Sequence, residues 1–381
     1  MRALTLAVCL AIALLAGCKA TPEPSPNYHE YAYVSNGGSN SVTVIDLRAR
    51  SILTTVSVGH SPTGLAVNPR KNEIYVANTE SNNISVIDAE TNKVVSTIGV
   101  HRAPFFVDVS SDGKRAYVAN SGSANLSVID LDQRKVIKYI PTGNGSNLAR
   151  LTPDGKLVIV ALHDEDSIAI VDTQKLAVRD KVKVCAKPVE LAIVPDSSKV
   201  FVACSESGQV GAVDLKTDKL LTLLDVGKTP VHLVIKPDGG ELFVSNYDAS
   251  SISEIVTSTN EVNNTFQIGD HPARGLVSPD NALLYVANFG SDSVAVYSID
   301  NGKLTASVPV GSHPEGMALS PNQLLLLVVN TGSGDMTVLS LIPSITDSRG
   351  RPQPEAPALE TMIPLGKDPR AIVVKAFVSQ R

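Results

Sequence analysis

Three residues that could do polar chemistry recur at one fixed interval along the chain. Glu190, His232 and Arg274 are each 42 residues apart, and each is the second residue after a proline. A carboxylate, an imidazole and a guanidinium can exchange protons or hold a charged ligand when a fold brings them together. Asp108 and Arg150 have the same spacing, two positions further along the equivalent segments. The sequence therefore predicts a polar site built from consecutive copies of one unit.

These five side chains allow two interpretations. They could be a set of mutual ion pairs that fill space, since neighbouring copies lie within reach of one another. They could instead bind a polar ligand with an anionic group, which Arg274 would hold through paired hydrogen bonds. The presence of both signs of charge beside an imidazole favours a ligand site as the sharper hypothesis.

A second candidate group is the acidic segment that begins at His163. A solvated acidic turn is one interpretation. A divalent cation bound by His163, Asp164 and Asp166 is the other, because carboxylate oxygens are hard ligands that suit such ions.

Two of the four cysteines of the chain, Cys185 and Cys204, fall in one repeat copy. Cysteines that are close in a fold most often form a disulfide in an oxidising compartment. Copper or zinc held by this pair together with His163 or His232 is the alternative.

The elements that must position these residues come from an internal repeat. The strand motif Tyr75-Val76-Ala77-Asn78 returns every 42 residues in eight copies, with Leu162 and Cys204 in place of the asparagine in two. Each period has four short, β-branched runs separated by turn residues, which indicates four antiparallel strands. In the second copy these strands, named A to D, are 65–67, 74–77, 84–87 and 94–98. Four strands in 40–45 residues are typical of a β-propeller blade.

The order of strand types predicts how the ring closes. The first copy begins at strand B, in residues 31–36, and the chain ends with residues 369–374, which match the A pattern of 62–67. An A strand from the C-terminus would complete the N-terminal blade and remove two free edges. We therefore predict an all-β, eight-bladed β-propeller over residues 31–381; seven blades with a detached hairpin are the alternative. The one break in the period, 343–357, is predicted to be a loop insertion.

Antiparallel strands put the D–A and B–C connections on one face of this ring. Glu190, His232 and Arg274 come directly after D–A connections, so we expect them at an exposed rim of the channel on that face. The insertion at 343–357 belongs to a C–D connection and falls on the opposite face.

The strand motif resembles that of the YVTN-type β-propeller family, named for the sequence Tyr-Val-Thr-Asn. The resemblance covers residues 31–378 and departs from the motif at Leu162 and Cys204. It implies a β-propeller in an extracytoplasmic setting. It implies no single activity, because propellers carry many.

The N-terminus predicts export and a lipid anchor. A charged start followed by an apolar run at 3–15 indicates a signal peptide over 1–17. Leu15-Ala16-Gly17-Cys18 resembles a bacterial lipobox, which implies that Cys18 carries lipid, while an incidental cysteine is the alternative. Residues 18–30 would then be the lipidated N-terminus and a stiff, proline-rich tether. Lys19, in place of aspartate, favours the outer membrane, facing the periplasm or the cell surface.

The composition narrows the partners further. With 33 Lys+Arg against 38 Asp+Glu, the net charge of −5 disfavours nucleic acid as a partner. The sequence contains no Cys-x-x-Cys-His, Gly-x-Ser-x-Gly or phosphate-loop motif. We expect an envelope module that binds a small polar or anionic ligand or another envelope protein and touches the membrane only through its lipid anchor. The sequence identifies no cofactor.

Two other functions stay open at this stage. In a lactonase-like hydrolase or lyase at the channel mouth, Glu190 or His232 would be the base and Arg274 would stabilise an oxyanion. A metal-binding envelope protein would use the acidic segment at His163.

Overall fold

The computed structural model of the protein describes residues 27–341 and 356–379. Within these residues, 32 strands form eight four-stranded antiparallel sheets, arranged as the blades of a ring. The eight-bladed prediction is confirmed, and the seven-bladed alternative is wrong. The predicted signal peptide, Cys18, most of the predicted tether and residues 343–355 of the predicted insertion lie outside the described residues. None of the helical segments in the described ranges is long and apolar enough to cross a membrane.

The strands of each blade are named A to D from the channel outward, and the bounds for the first half of the ring are as follows. Blade 1 contains β32 (Pro369–Val378), β1 (Tyr28–Asn36), β2 (Ser41–Asp46) and β3 (Ser51–Ser57). Blade 2 contains β4 (Pro62–Val67), β5 (Glu73–Asn78), β6 (Asn83–Asp88) and β7 (Lys93–Gly99). Blade 3 contains β8 (Pro104–Val109), β9 (Arg115–Asn120), β10 (Asn125–Asp130) and β11 (Lys135–Pro141). Blade 4 contains β12 (Ser146–Leu151), β13 (Leu157–Leu162), β14 (Ser167–Asp172) and β15 (Ala177–Lys183).

The second half of the ring repeats the same pattern. Blade 5 contains β16 (Pro188–Ile193), β17 (Lys199–Cys204), β18 (Gln209–Asp214) and β19 (Lys219–Asp225). Blade 6 contains β20 (Pro230–Ile235), β21 (Glu241–Asn246), β22 (Ser251–Val256) and β23 (Glu261–Gln267). Blade 7 contains β24 (Pro272–Val277), β25 (Leu283–Asn288), β26 (Ser293–Ser298) and β27 (Lys303–Pro309). Blade 8 contains β28 (Pro314–Leu319), β29 (Leu325–Asn330), β30 (Asp335–Ser340) and β31 (Ala358–Pro364). Three B–C connections contain 3₁₀ turns: Gly37–Ser39, Ser121–Ser123 and Tyr247–Ala249.

The C-terminal strand closes the ring as predicted. β32 pairs antiparallel with β1, from Tyr28 opposite Val378 to Asn36 opposite Pro369. Each A strand contacts the A strands of both neighbouring blades, so the eight A strands surround the central channel. Because both ends of the chain share blade 1, opening the ring requires the separation of a strand pair.

The hydrophobic core lies between neighbouring blades. One cluster, for example, joins Tyr75 and Val86 of blade 2 to Val107, Val118 and Ile129 of blade 3. Strands B and C are covered on both faces, which explains why their apolar runs are nearly continuous. Each fully buried B-strand aromatic side chain, such as Tyr75, contributes roughly 1.5–3 kcal/mol to folding.

The motif asparagine joins strand B to strand C inside a blade. In blade 6, the buried Asn246 Nδ2 donates to Ser251 Oγ at 3.2 Å and to Ser253 Oγ at 2.9 Å. The same pair of bonds to C-strand side chains forms at Asn36, Asn78, Asn120 and Asn330. These bonds satisfy the buried amide Nδ2 groups and their C-strand acceptors, while Oδ1 of Asn78, Asn120, Asn246 and Asn330 has no partner within the described residues. A blade that loses the asparagine is therefore expected to lose the buried hydroxyl as well. The two blades without it do so, since Ala169 and Gly211 occupy the place of the hydroxyl.

A glycine faces this asparagine from the D–A connection. A Cβ on Gly227 would lie 2.6 Å from the Cβ of Asn246, a distance that packed side chains do not tolerate. Blade 5 replaces both members of the pair, because Cys185 takes the glycine position and Cys204 the asparagine position. The structure joins these two residues by a disulfide, with the Cα atoms 5.6 Å apart. In blade 5 the disulfide thus replaces the glycine–asparagine contact between the D–A connection and strand B.

The buried amide predicts a measurable cost of its removal. In Asn246→Ala, the hydroxyls of Ser251 and Ser253 lose a buried donor, and we expect the free energy of unfolding to fall by about 2 kcal/mol. Asn264→Ala, at an exposed D-strand position of the same blade, is the matched control and should change it by less than about 0.5 kcal/mol. Urea denaturation of both variants measures the difference. Equal stabilities of the two variants would contradict the role assigned to the amide.

Candidate functional site

A cavity of about 340 Å³ lies in the central channel, between the first residues of the A strands. Apolar walls come from residues such as Phe105, Leu148 and Val189. Its charged lining, within the described residues, consists of Arg150, Glu190, Arg274, Glu315 and Arg370. Because A strands begin directly after the D–A connections, the cavity lies towards the D–A/B–C face, where the sequence places the site.

Arg150 and Glu190 satisfy each other across blades 4 and 5. One guanidinium nitrogen of Arg150 lies 3.3 Å from Glu190 Oε1, and its guanidinium carbon lies 4.3 Å from the centre of the Phe106 ring. The same carboxylate oxygen accepts a hydrogen bond from the backbone N–H of Leu191 at 3.1 Å. Glu190 is only 7% exposed, so the expectation of an exposed rim is wrong for it. For this pair, the ion-pair interpretation of the sequence fits.

Arg274 has no such partner. Among the residues that the structure describes, its guanidinium makes neither a hydrogen bond nor an ion pair, although the side chain is exposed to the channel. Burial by the surrounding ring lowers the pKa of Arg274; the charges of Glu190 and Glu315 oppose this effect, and the charge of Arg150 adds to it. An arginine nevertheless stays protonated in proteins. Arg274 therefore presents a full positive charge on the wall of the channel cavity, with donors that bond to no described residue.

His232 does not line the cavity; it has a structural role, because it accepts a hydrogen bond from the next blade. It is 9% exposed, does not line the cavity, and its Nδ1 accepts the backbone N–H of Gly275 of the next blade at 3.2 Å. Burial lowers the pKa of His232 well below its usual 6.5, and the charges of Arg274 and Arg150 lower it further. The expectation that His232 sits at an exposed rim is wrong, because the side chain turns towards the neighbouring blade.

Asp108 has the same kind of role between blades 3 and 4. Its two carboxylate oxygens accept the backbone N–H groups of Val109 and of Leu151, both at 2.9 Å. Burial raises the pKa of Asp108, while these two hydrogen bonds and the charge of Arg150 oppose the rise. A strands form the inner edge of each sheet, so their channel-side N–H groups need partners from outside the sheet. Asp108 and His232 supply two of them, and neither lines the cavity.

Two cavity residues, Glu315 and Arg370, were missed by the sequence analysis. Both are the first residue after the A-strand proline, whereas the residues predicted from the sequence are the second and the fourth in their copies. The pairing of strands A and B shifts register at this point, for example between Pro314 and Gly316, so successive side chains reach the channel. Arg370 donates to Asp368 Oδ2 from two nitrogens, at 2.8 and 2.9 Å. A comparison of the first position across the eight copies is the signal that finds both.

The acidic segment in blade 4 does not bring its candidate ligands together. His163 Nδ1 lies 2.8 Å from Asp164 Oδ1, and Asp166 Oδ1 accepts the backbone N–H of Lys187 at 3.2 Å. No group of three or more His, Cys, Asp or Glu side chains in the described ranges is arranged to hold a metal ion. The sulfurs of Cys185 and Cys204 are bonded to each other, which removes them as ligands.

Fold and cavity together define an eight-bladed β-propeller with a charged, ligand-sized pocket in its channel. A family model described as YNCE-like beta-propeller matches residues 28–149 and 138–316. These matches cover most of the chain, and the protein belongs to this family. No curated protein matches the sequence significantly.

Solved structures share the fold. Hydrazine synthase of Kuenenia stuttgartiensis is similar with a TM-score of 0.60 and 21% identity, over 73% of this chain and 95% of that chain. Dihydro-heme d1 dehydrogenase NirN in complex with DHE has a TM-score of 0.71 and 14% identity, over 90% of this chain and 74% of that chain. A functionally unknown protein from Desulfotomaculum acetoxidans has a TM-score of 0.59 and 15% identity, over 90% and 98%. At these identities the likeness shows the fold alone.

The buried histidine predicts a pH dependence of stability. The native pKa of His232 is depressed, so below pH 6.5 the unfolded chain binds a proton that the native chain does not. The free energy of unfolding should therefore fall as the pH drops from 7 to 5, by up to about 1.4 kcal/mol per pH unit from this residue. His232→Asn keeps an acceptor for Gly275 and should flatten the fall in urea denaturation. His60→Asn, at an exposed loop position, is the control; a wild-type slope in His232→Asn would contradict the assignment.

Proposed function

We propose that this protein is a lipid-anchored, extracytoplasmic β-propeller that binds a small polar ligand with an anionic group in its central channel. The observation that carries the proposal is the guanidinium of Arg274, which lines the cavity and makes neither a hydrogen bond nor an ion pair within the described residues. Its side chain is exposed to the channel, so its donors are available to a ligand without the loss of a bond within the described protein. A carboxylate or phosphate can accept two parallel hydrogen bonds from them.

The dimensions of the cavity support a small molecule as the ligand. Its volume of about 340 Å³ lies at the lower end of the range for small-molecule pockets, roughly 300–1,000 Å³. The walls also have the mixed character of such pockets, since apolar side chains such as Phe105 and Leu148 surround a few charged groups. A macromolecular partner would need a broad outer surface, whereas these groups converge inside the ring.

Two features support the envelope location. The disulfide between Cys185 and Cys204 suits a protein that matures in an oxidising compartment. The sequence preceding Cys18 resembles a lipobox and follows an apolar run of signal-peptide length. The YVTN-type strand motif, which resembles that of extracytoplasmic propellers, agrees with both.

The enzymatic alternative has less support from the geometry. Of the two bases named from the sequence, His232 uses Nδ1 to accept from Gly275 and does not line the cavity. Glu190 is held by Arg150 and Leu191. A binding site needs neither residue to titrate, so binding is the simpler function for this arrangement.

Replacement of Arg274 tests the binding site. We expect at least one of succinate, citrate and inorganic phosphate to bind the wild-type protein in isothermal titration calorimetry. Arg274→Ala should weaken that binding ten-fold or more, or roughly 1.4 kcal/mol, while the free energy of unfolding changes by less than about 1 kcal/mol. Arg102→Ala, at an exposed loop position on the same face, is the matched control and should bind as the wild type does. Undiminished binding by Arg274→Ala would overturn the proposal.

The anchor has its own test at Cys18. Cys18→Ser should eliminate the acyl mass of the mature protein and release it from the membrane fraction, because the modified thiol is the only proposed attachment. Cys9→Ser, within the apolar run, is the control and should leave both unchanged. Mass spectrometry and fractionation provide the readouts, and an acylated, membrane-bound Cys18→Ser protein would exclude this anchor.

A further inference from the structure

Within the part of the chain that the structure describes, two charges of opposite sign line the channel cavity without a partner. Arg274 is the second residue of strand A in blade 7 after its proline, and Glu315 is the first in blade 8. Both side chains are exposed to the cavity, and within the described residues neither makes a hydrogen bond or an ion pair. They therefore differ from the rest of the charged lining.

The other charged residues of the cavity are satisfied. Arg150 pairs with Glu190 at 3.3 Å. Arg370 pairs with Asp368 at 2.8 Å. Arg274 and Glu315 lie on the A strands of blades 7 and 8, which contact each other, and both side chains line the cavity. Within the described residues they form no ion pair with each other or with another group, so a cation and an anion face the same cavity.

The walls around these two charges are partly apolar. Phe105, Leu148, Val189 and Ile372 line the cavity from four different blades. A ligand that fills the space must therefore have an apolar body as well as groups that pair with the two charges. A simple anion would be repelled by Glu315 and leave it unpaired. A simple cation would be repelled by Arg274 and leave it unpaired.

We infer that the cavity binds a zwitterion with an apolar body, of the α-amino acid or dipeptide type, with its carboxylate on Arg274 and its ammonium group on Glu315. This inference rests on the proposed function, because it assigns the anionic group of the ligand to Arg274. It adds a second contact, a residue for that contact and a class of ligand. Each charge of the ligand offsets a charge that the empty cavity leaves without a direct partner.

A set of related compounds separates the two contacts. L-leucine carries both charges, N-acetyl-L-leucine only the carboxylate, and L-leucinamide only the ammonium group; leucyl-leucine has the same two charges further apart. Each is titrated calorimetrically into the full-length wild-type protein and into Arg274→Gln and Glu315→Gln. Arg102→Gln and Glu80→Gln, at exposed loop positions on the same face, are the matched controls.

The inference predicts that the wild type binds leucine or leucyl-leucine at least ten-fold more tightly than either singly charged compound. Glu315→Gln should no longer bind the zwitterion more tightly than N-acetyl-leucine. Arg274→Gln should no longer bind the zwitterion more tightly than leucinamide. The control variants should keep both preferences. The tighter of the two zwitterions shows whether a free amino acid or a dipeptide fits. If the N-acetyl compound, or succinate, binds as tightly as leucine, the zwitterion inference is wrong and the anion site stands. If neither zwitterion binds the wild type, the inference is also wrong, and the absence of carboxylate and phosphate binding as well would remove the proposed function with it.

Discussion

The buried amide of the motif asparagine is the interaction on which the rest of the ring depends. In five blades it donates to two C-strand side chains, as Asn246 does to Ser251 and Ser253. In four of these five blades a glycine faces it, as Gly227 faces Asn246, which lets the D–A connection pack directly against strand B; blade 3 has His101 at the equivalent position. That contact fixes where the next proline begins strand A. The first two residues after the proline are consequently held at the channel, and they are the residues from which most of the charged lining comes.

The eight blades of the ring place equivalent residues at equivalent positions around the channel. The candidate site is formed at the positions where the blades carry different residues. The inner edge of every A strand carries backbone groups that its own sheet does not satisfy. Asp108 and His232 bond to these groups in the adjacent blade, so their polarity serves the ring. Arg150 and Glu190 cancel each other. Within the described residues, the guanidinium of Arg274 and the carboxylate of Glu315 line the cavity without a partner, and these are the two charges that we propose a ligand meets.

The fold follows from the sequence because the repeat has one period and the strand types can be counted. An A pattern after residue 366 and none before residue 31 is enough to close the ring in blade 1. The site is only partly predictable. The repeat spacing correctly predicts that Arg150, Glu190 and Arg274 reach the cavity. It does not predict the orientation of His232. That side chain faces the next blade because it accepts a backbone N–H there, and the position of a backbone N–H cannot be read from a sequence pattern. Glu315 and Arg370 escape because the register shift after each proline breaks the alternation on which strand-based predictions rely.

We propose that the channel holds a small molecule through Arg274. Native mass spectrometry of the protein isolated gently from the cells that produce it tests this binding without a choice of ligand. We expect one small-molecule adduct per wild-type chain and its loss in Arg274→Ala, with Arg102→Ala retaining it. A wild-type protein without an adduct, or an adduct that Arg274→Ala keeps at full occupancy, would contradict the account.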